Sequence, residues 1–406
     1  MKIINIAENS SYTLAETAVS SFRDFLSVNA NLPVKLEGNT LVFDEYTIGS
    51  ITVKDLSIVI NPRIKRLSPN HYFEMQLFNE GLLTSSLSTI LGENSHFGIQ
   101  QNLTELFLEE SFSLVSKGVE GAFIKVQEES NVVKGRILTE KITPLNLLQN
   151  LIPIEYEVHT QKTSFNKIVK LALLKILPLI EGEKNTKLFA LVNAYFEDIE
   201  VLPSDLPFLL MENEAKLFYE NECYPTVIGL AIKILKELRL NMKDNKVLGS
   251  SYLVNANTLF ENYALKVLSD GLKENVSKWE KPKKMGQFSY GGKQIIKTYI
   301  PDIIIDFHND TNTAHAVIDA KNKDVSIPQN IGNLPDLYQI LFYCYSLNAN
   351  FGGLVYPYFG EFETSRINID SFKENNIFAF AIDFSKPIQQ RNSLFVNNVK
   401  NAFQIN

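Results

Sequence analysis

The chain has little cysteine. Of 406 residues only Cys223 and Cys344 carry thiols, and they lie far apart, which excludes a disulfide framework or a cysteine-based zinc site. Histidine is scarce too: the five (His71, His96, His159, His308 and His315) show no metal-ligand spacing. No stretch approaches the roughly 18 uninterrupted apolar residues of a membrane span. The closest candidate, residues 171–180, is short and carries Lys175. Positive charge is not in excess. Lys plus Arg number 39 against 46 Asp plus Glu, a net −7 that argues against a polycation-type nucleic-acid binder. Phosphate-binding glycine loops are missing: Gly291-Gly292-Lys293-Gln294 lacks the Ser/Thr and the spacing of a P-loop, so any nucleotide hydrolysis must come from another chain. There is no G-x-S-x-G elbow, no repeat and no low-complexity tract. The N-terminus is not a secretory signal, because Glu8 interrupts its short apolar run. With two free thiols, that predicts a cytoplasmic protein without membrane association.

What is present is an ordinary globular balance, 45% hydrophobic and 21% charged, long enough for two or three domains. Short β-branched runs at residues 40–46, 48–53 and 56–62 predict a β-rich start, preceded by an amphipathic helix over 14–28. Helical periodicity then dominates: 103–115, 164–179 with Pro178 near its end, 187–199 and 216–238, with a loop at 181–186. From about residue 247 the pattern is α/β, with helices over 257–268 and 335–347, a Gly291-Gly292 turn and strands between them. The expected organisation is a multidomain α/β protein: a β-rich domain over 1–120, a helical domain over 121–245, and an α/β domain over 246–406.

The chemistry concentrates in Pro301-Asp302-Ile-Ile-Ile-Asp306 and Ala316-Val-Ile-Asp319-Ala320-Lys321. Residues two apart on a strand share a face, so Asp319 and Lys321 project together. The polar segment 308–313 is turn-forming, so the two strands can pair as a hairpin and bring Asp302 beside Asp319. Two carboxylates with one ammonium at a strand end suit Mg²⁺ (with Mn²⁺ as a substitute), the Ala320 carbonyl being a further candidate ligand. Lys321 would position the attacking water and offset charge in phosphodiester hydrolysis. A D-x-K triplet alone is commonly a solvated strand end. Its place after an apolar strand, at hairpin distance from Pro301-Asp302, makes the catalytic reading the stronger one.

Glu261 lies on the preceding helix, where reaching the metal through water and being an ordinary exposed charge are equally open. Gln339 and Tyr343 form an i, i+4 pair that could face the same centre, while Phe342 and Tyr345 are expected in the core. Residues 273–297 carry +5 from seven lysines and two glutamates, with Trp279, Phe288 and Tyr290 interleaved. Lys278, Lys281, Lys283, Lys284, Lys293 and Lys297 are therefore candidate DNA contacts. A charged edge hairpin that resists aggregation is the alternative. Arg63 and Arg66 read as a solvated pair in an exposed loop in preference to partner contacts.

These residues resemble the PD-(D/E)xK nuclease superfamily with a RecB-like Gln-x-x-x-Tyr helix. The rest of the chain resembles the McrC family, the nuclease subunit of McrBC-type modification-dependent restriction systems. Tyr46-Thr-Ile-Gly-Ser-Ile followed by Ile58-Val-Ile-Asn-Pro-Arg-Ile64 is similar to the family's G-x-I … I-x-P-K-I hairpin, with Arg63 where Lys is usual. Residues 118–123 with Val133-Lys-Gly-Arg-Ile137, Asn166 with its helix, and Leu259-Phe-Glu-Asn-Tyr263 also fit. The resemblance implies a restriction-endonuclease-like C-terminal domain with a mixed central sheet and nuclease residues Asp302, Asp319 and Lys321. It further implies an N-terminal docking role, and a AAA+ GTPase partner resembling McrB that recognises modified cytosine in double-stranded DNA and is stimulated by this subunit.

Overall fold

The computed structural model describes residues 2–84, 99–202, 204, 209, 221–243, 246–290, 293–326, 328–368 and 376–405. The chain is mixed α/β and divides into two compact units, Met1–Leu83 with Ser251–Asn406, and Thr84–Ser250. Compactness thus joins the two ends of the chain, which a linear reading assigns to different domains.

The N-terminal part of the first unit runs β1 (Lys2–Ala7), β2 (Ser11–Thr13), α1 (Glu16–Val28), β3 (Val34–Glu37), β4 (Thr40–Phe43), β5 (Thr47–Val53), β6 (Leu56–Asn61) and α2 (Pro69–Asn79). Strand β6 pairs parallel with β1 and antiparallel with β5, while β2, β4 and β3 form a small antiparallel sheet. Alternation explains the packing: Ile51, Val53, Ile58 and Ile60 turn inward against Phe22 and Phe25 of α1. Gly49 of β5 has φ +122, and a Cβ there would lie 2.1 Å from the Tyr252 carbonyl oxygen, so only glycine permits this backbone approach.

The second unit holds α3 (Ile99–Lys117), β7 (Ala122–Ser130), β8 (Arg136–Ile137), α4 (Pro144–Leu148), β9 (Ile152–Thr160), α5 (Ser164–Ile176), α6 (Glu183–Tyr195), α7 (Tyr224–Glu237) and β10 (Arg239–Lys243). Helices α3, α5, α6 and α7 pack together. Buried Asn166 ties them to the preceding segment, donating to Glu120 O at 2.9 Å and accepting from Tyr224 OH at 2.7 Å. Two expectations need correction. The middle of the chain is not purely helical, because β7, β9 and β8 form an antiparallel sheet. Its period-2 signal was present: Ile124 and Val126 lie opposite Val158 and Tyr156. The expected loop at 181–186 is also too long. Gly182, at φ 82, caps α6, and the polar residues from Glu183 form its solvated first turn. Pro178 does end the regular helix, in a single 3₁₀ turn at Leu177–Leu179.

The chain returns to the first unit within β11 (Lys246–Asn255), whose later residues extend the β5 edge of the N-terminal sheet. Then follow α8 (Ala256–Gly271), β12 (Val276–Ser277), β13 (Lys283–Tyr290), β14 (Lys293–Tyr299), β15 (Ile303–His308), β16 (Thr313–Ala320), α9 (Leu334–Ser346), β17 (Phe351–Tyr358), β18 (Ser365–Ile367), β19 (Asn376–Asp383) and α10 (Ile388–Phe403). Strand order in the six-stranded sheet is β12-β15-β16-β17-β19-β18. The β15–β16 pair is antiparallel, whereas β16–β17 and β17–β19 are parallel. Apolar side chains cover both faces. Ile303, Ile305, Ile318 and Phe380 pack with α8 and α10, while Ile304, Val317, Leu354 and Tyr356 pack with α9.

His96, residues 216–220 of the expected fourth helix, and Gly291-Gly292 lie outside the described residues, as do the side chains of Phe288 and Tyr290. Both cysteines are free thiols. Among the described residues no helix is long and apolar enough to cross a membrane.

Candidate active site

Strand pairing builds the site. Ile303 lies opposite Ile318 and Ile304 opposite Val317, so the same register carried one residue further sets Asp302 against Asp319 at the end of the hairpin. By the period of two, Asp302 and Asp319 share the sheet face of Ile304 and Val317, the face that α9 covers. The two carboxyl groups sit close enough to interact electrostatically, and Asp302 accepts the Ala320 N–H at 2.9 Å. Lys321 reaches back along its own face, its Nζ 2.5 Å from Asp319 Oδ2.

Helix α9 completes the corner. Asn333 caps it by accepting from Asp336 N, and Pro335 sits in its first turn. Its Gln339 Oε1 accepts from Lys321 Nζ at 2.9 Å, Gln339 Nε2 donates to Tyr343 OH at 2.8 Å, and Tyr343 OH donates to Ile300 O at 3.2 Å. This chain of bonds runs from the lysine back to the residue before Pro301-Asp302, so it closes a ring around the acid pair. Phe342 packs inward as expected, but Tyr345 does not. It is 82% exposed, because Ile340, Tyr343, Cys344 and Leu347 define the buried side of α9.

The electrostatics follow from burial. Asp319 is 1% exposed. Removal from water, with the Asp319 charge beside it, pushes Asp302 up to about 7. Burial also raises Asp319, against the opposing pull of Lys321. Glu261 of α8 is raised by burial and by Asp302, while Lys278, 3.0 Å away, opposes that shift. Burial lifts the Tyr343 phenol to about 12.

Two buried carboxylates that resist ionising together are the donor chemistry a hard divalent cation relieves. Among the described residues no cluster of three His, Cys, Asp or Glu is placed to hold a metal. The two carboxylates Asp302 and Asp319 are oxygen donors of the kind that suit a hard cation such as magnesium.

The lysine segment has a different character. β13 and β14 form a separate two-stranded ribbon with a bulge between Lys284 and Gly286. Lys281, Lys284, Lys293 and Lys297 lie exposed on or beside it. Lys278 is bound to Glu261, and Lys283 stacks over Trp279 at 3.8 Å and Phe307 at 4.5 Å. Trp279 itself packs against Tyr299 and Phe307 at the edge of the α9-side core, so it is not a free stacking platform.

Sequence reading missed the second layer. Asn322, 3% exposed, collects bonds from three separate segments. Its Oδ1 accepts from Tyr72 OH at 3.0 Å, its Nδ2 donates to Asn257 Oδ1 at 3.2 Å, and its carbonyl accepts from Arg63 Nη2. Arg63 is exposed, as expected of that loop, yet its side chain is held at several points. It also pairs with the buried Glu8 carboxylate (Nε–Oε1 3.6 Å) and lies over the Tyr46 ring. Nearby, Lys323 pairs with buried Asp336. Only the position of Asn322 directly after Lys321 hinted at any of this.

The fold and site therefore define a mixed α/β protein whose central sheet ends in an acid–acid–lysine corner backed by a Gln–Tyr helix. The sequence pattern of the McrBC 5-methylcytosine restriction system component family matches residues 44–357, and the chain belongs to that family. Its fold is similar to a chain in the tetradecameric assembly of Thermococcus gammatolerans McrB AAA+ hexamers with bound McrC, at TM-score 0.69 and 17% identity, covering 98% of this chain and 100% of that one. A chain of the Thermococcus gammatolerans McrBC complex aligns at TM-score 0.49 and 18% identity, over 66% of this chain and 88% of that one. No curated protein matches by sequence.

Proposed function

We propose that the chain is the endonuclease subunit of a GTP-dependent, modification-dependent restriction complex, cutting double-stranded DNA that carries modified cytosine. The observation that carries the reading is the ring Asp302–Asp319–Lys321–Gln339–Tyr343 at the end of two paired strands. Its C-terminal α/β region is read as a PD-(D/E)xK nuclease domain. Family membership and the fold shared with a chain of an McrB–McrC assembly support a AAA+ GTPase partner resembling McrB.

Asp302, Asp319 and the Ala320 carbonyl would hold Mg²⁺, or Mn²⁺ in its place, which when bound supplies Lewis-acid stabilisation of a phosphate oxygen. The chain's own groups do the rest. Lys321, fixed between Asp319 and Gln339, orients the attacking water and offsets the negative charge that grows on the phosphate. Water oxygen bonds to phosphorus, the ester oxygen leaves with a proton, and Tyr343 holds Gln339 in the rotamer that grips Lys321. Glu261, kept in place by Lys278, orients solvent at the rim. The exposed lysines of the β13–β14 ribbon contact the DNA backbone.

Lys321→Ala in the reconstituted complex is expected to lower cleavage by about 10²-fold or more, the scale of losing a positioned catalytic group. Unchanged cleavage removes the assignment. A second role, activation of the AAA+ partner, draws support from apolar side chains left in water on the second unit, among them Phe123 at 71% and Leu148 at 82% exposed. GTP turnover by the partner with and without this chain measures that role.

A further inference from the structure

We infer that Arg63 is a positioning residue for Lys321, acting through Asn322. The inference rests on reading Lys321 as the catalytic ammonium. Lysine has four rotatable side-chain bonds, so the place of its ammonium depends on how firmly its backbone is held. Upstream, the backbone is fixed by the sheet: the Lys321 N–H donates to Val355 O at 2.8 Å. Downstream the strand has ended, and the chain turns through a Lys323 N–H to Lys321 O bond at 2.8 Å. The residue inside that turn is Asn322, and every bond it makes outward leads away from the sheet.

Three segments converge on it. Arg63, from the loop after β6, donates to the Asn322 carbonyl and, at 3.3 Å, to Asn257 Oδ1. Asn257, in the first turn of α8, accepts from the Asn322 amide at 3.2 Å. Tyr72 of α2 donates to Asn322 Oδ1 at 3.0 Å. Arg63 is itself fixed before it reaches the turn. Its backbone N–H donates to Glu8 Oε2 at 3.1 Å, its side chain pairs with the same carboxylate, and Tyr46 lies beneath its guanidinium. The Glu8 side chain is wholly buried and the Arg63 side chain 35% exposed, so the carboxylate end of the pair is shielded from water.

The planar guanidinium suits this duty: it serves two acceptors and a carboxylate at once, which an ammonium on a flexible stem does not. An N-terminal strand module and the catalytic corner are thereby joined by one side chain. The network explains why a buried asparagine follows the lysine, and it gives the N-terminal strands a direct part in the nuclease chemistry.

The test uses the full complex with Arg63→Lys, which keeps the charge against Glu8, and Tyr72→Phe, which removes a single oxygen from the network. Cleavage kcat and KM are measured beside the rate at which an amine-reactive ester labels Lys321, read by peptide mass spectrometry, with exposed Lys35 as reference. Both variants are expected to lower kcat by about 10- to 100-fold, the cost of misplacing a reacting group by about an ångström, with KM held. Lys321 labelling should rise several-fold while Lys35 labelling stays constant. Wild-type kcat with wild-type Lys321 labelling overturns the inference. So does a change confined to KM, which would make Arg63 a DNA contact, or a parallel rise at Lys35, which would make it a general fold support. Lys321→Ala run alongside separates the two levels: full cleavage by that variant sinks the nuclease reading, whereas the labelling result still decides whether Arg63 positions the lysine.

Discussion

The β15–β16 hairpin and the β13–β14 ribbon are neighbours in sequence, and they treat charge in opposite ways. The hairpin buries Asp302 and Asp319 against each other and against one lysine, and the desolvation raises both acids. The ribbon holds most of its lysines exposed to water. Two patterns that look alike in sequence, charges interleaved with apolar residues, therefore serve different ends. In the hairpin, burial makes a few charges strong and specific. In the ribbon, solvation leaves many charges weak, screened by salt, and suited to a phosphate backbone of any sequence. Lys278 and Lys283 mark the border, one drawn to Glu261 and the other over the Trp279 ring.

The contrast can be broken experimentally, most severely in the hairpin. Asp302→Asn should abolish cleavage, by about 10²-fold or more on the scale of losing one preorganised electrostatic group. It should also change stability with a defined sign. The folded-state value of Asp302, about 7, lies above its ordinary 3.8, so the folded protein holds this proton more tightly than the unfolded chain. Wild-type stability contributed by this group is then present at pH 4 and lost as pH rises toward 7. Denaturant midpoints measured in a chelator should show the Asn variant spared that loss and more stable than wild type at pH 8. A variant less stable than wild type at pH 8 contradicts the raised Asp302.

The ribbon should respond differently. Lys281→Ala and Lys293→Ala should each reduce the slope of log affinity against log salt by about 0.9, leaving kcat intact, if each lysine meets one phosphate. An unchanged slope returns the ribbon to the role of a charged edge. The smallest effect belongs to the border. Lys283→Met should lower stability by about 0.5–1 kcal/mol through loss of the ammonium over Trp279 and Phe307, read as a denaturant midpoint shift, without altering the salt slope. A salt slope that falls instead would return Lys283 to the DNA-facing set.

The same contrast shows which features were legible in sequence. The acid pair and Lys321 could be read because hairpin register and a period of two are local rules, and Gln339 with Tyr343 followed from helical spacing. The Arg63–Glu8–Asn322–Tyr72 network could not, since its directly bonded members lie up to 259 positions apart and no local pattern links them. Neither the inward packing of Trp279 among the lysines nor the exposure of Tyr345 could be read, because composition does not say which way a ring faces. The β7–β9 sheet was overlooked because its exposed, charge-rich strands dilute the alternation that burial would have sharpened. Solvent exposure, more than sequence distance, hid that element.

The most direct test of the central claim replaces Asp319 with Asn in the reconstituted complex and follows DNA cleavage and GTP turnover in the same tube. Cleavage of DNA containing modified cytosine is expected to be lost while GTP turnover by the partner persists at its wild-type rate. Cleavage at the wild-type rate by Asp319→Asn would contradict this, because the proposed chemistry at the corner depends on that carboxylate.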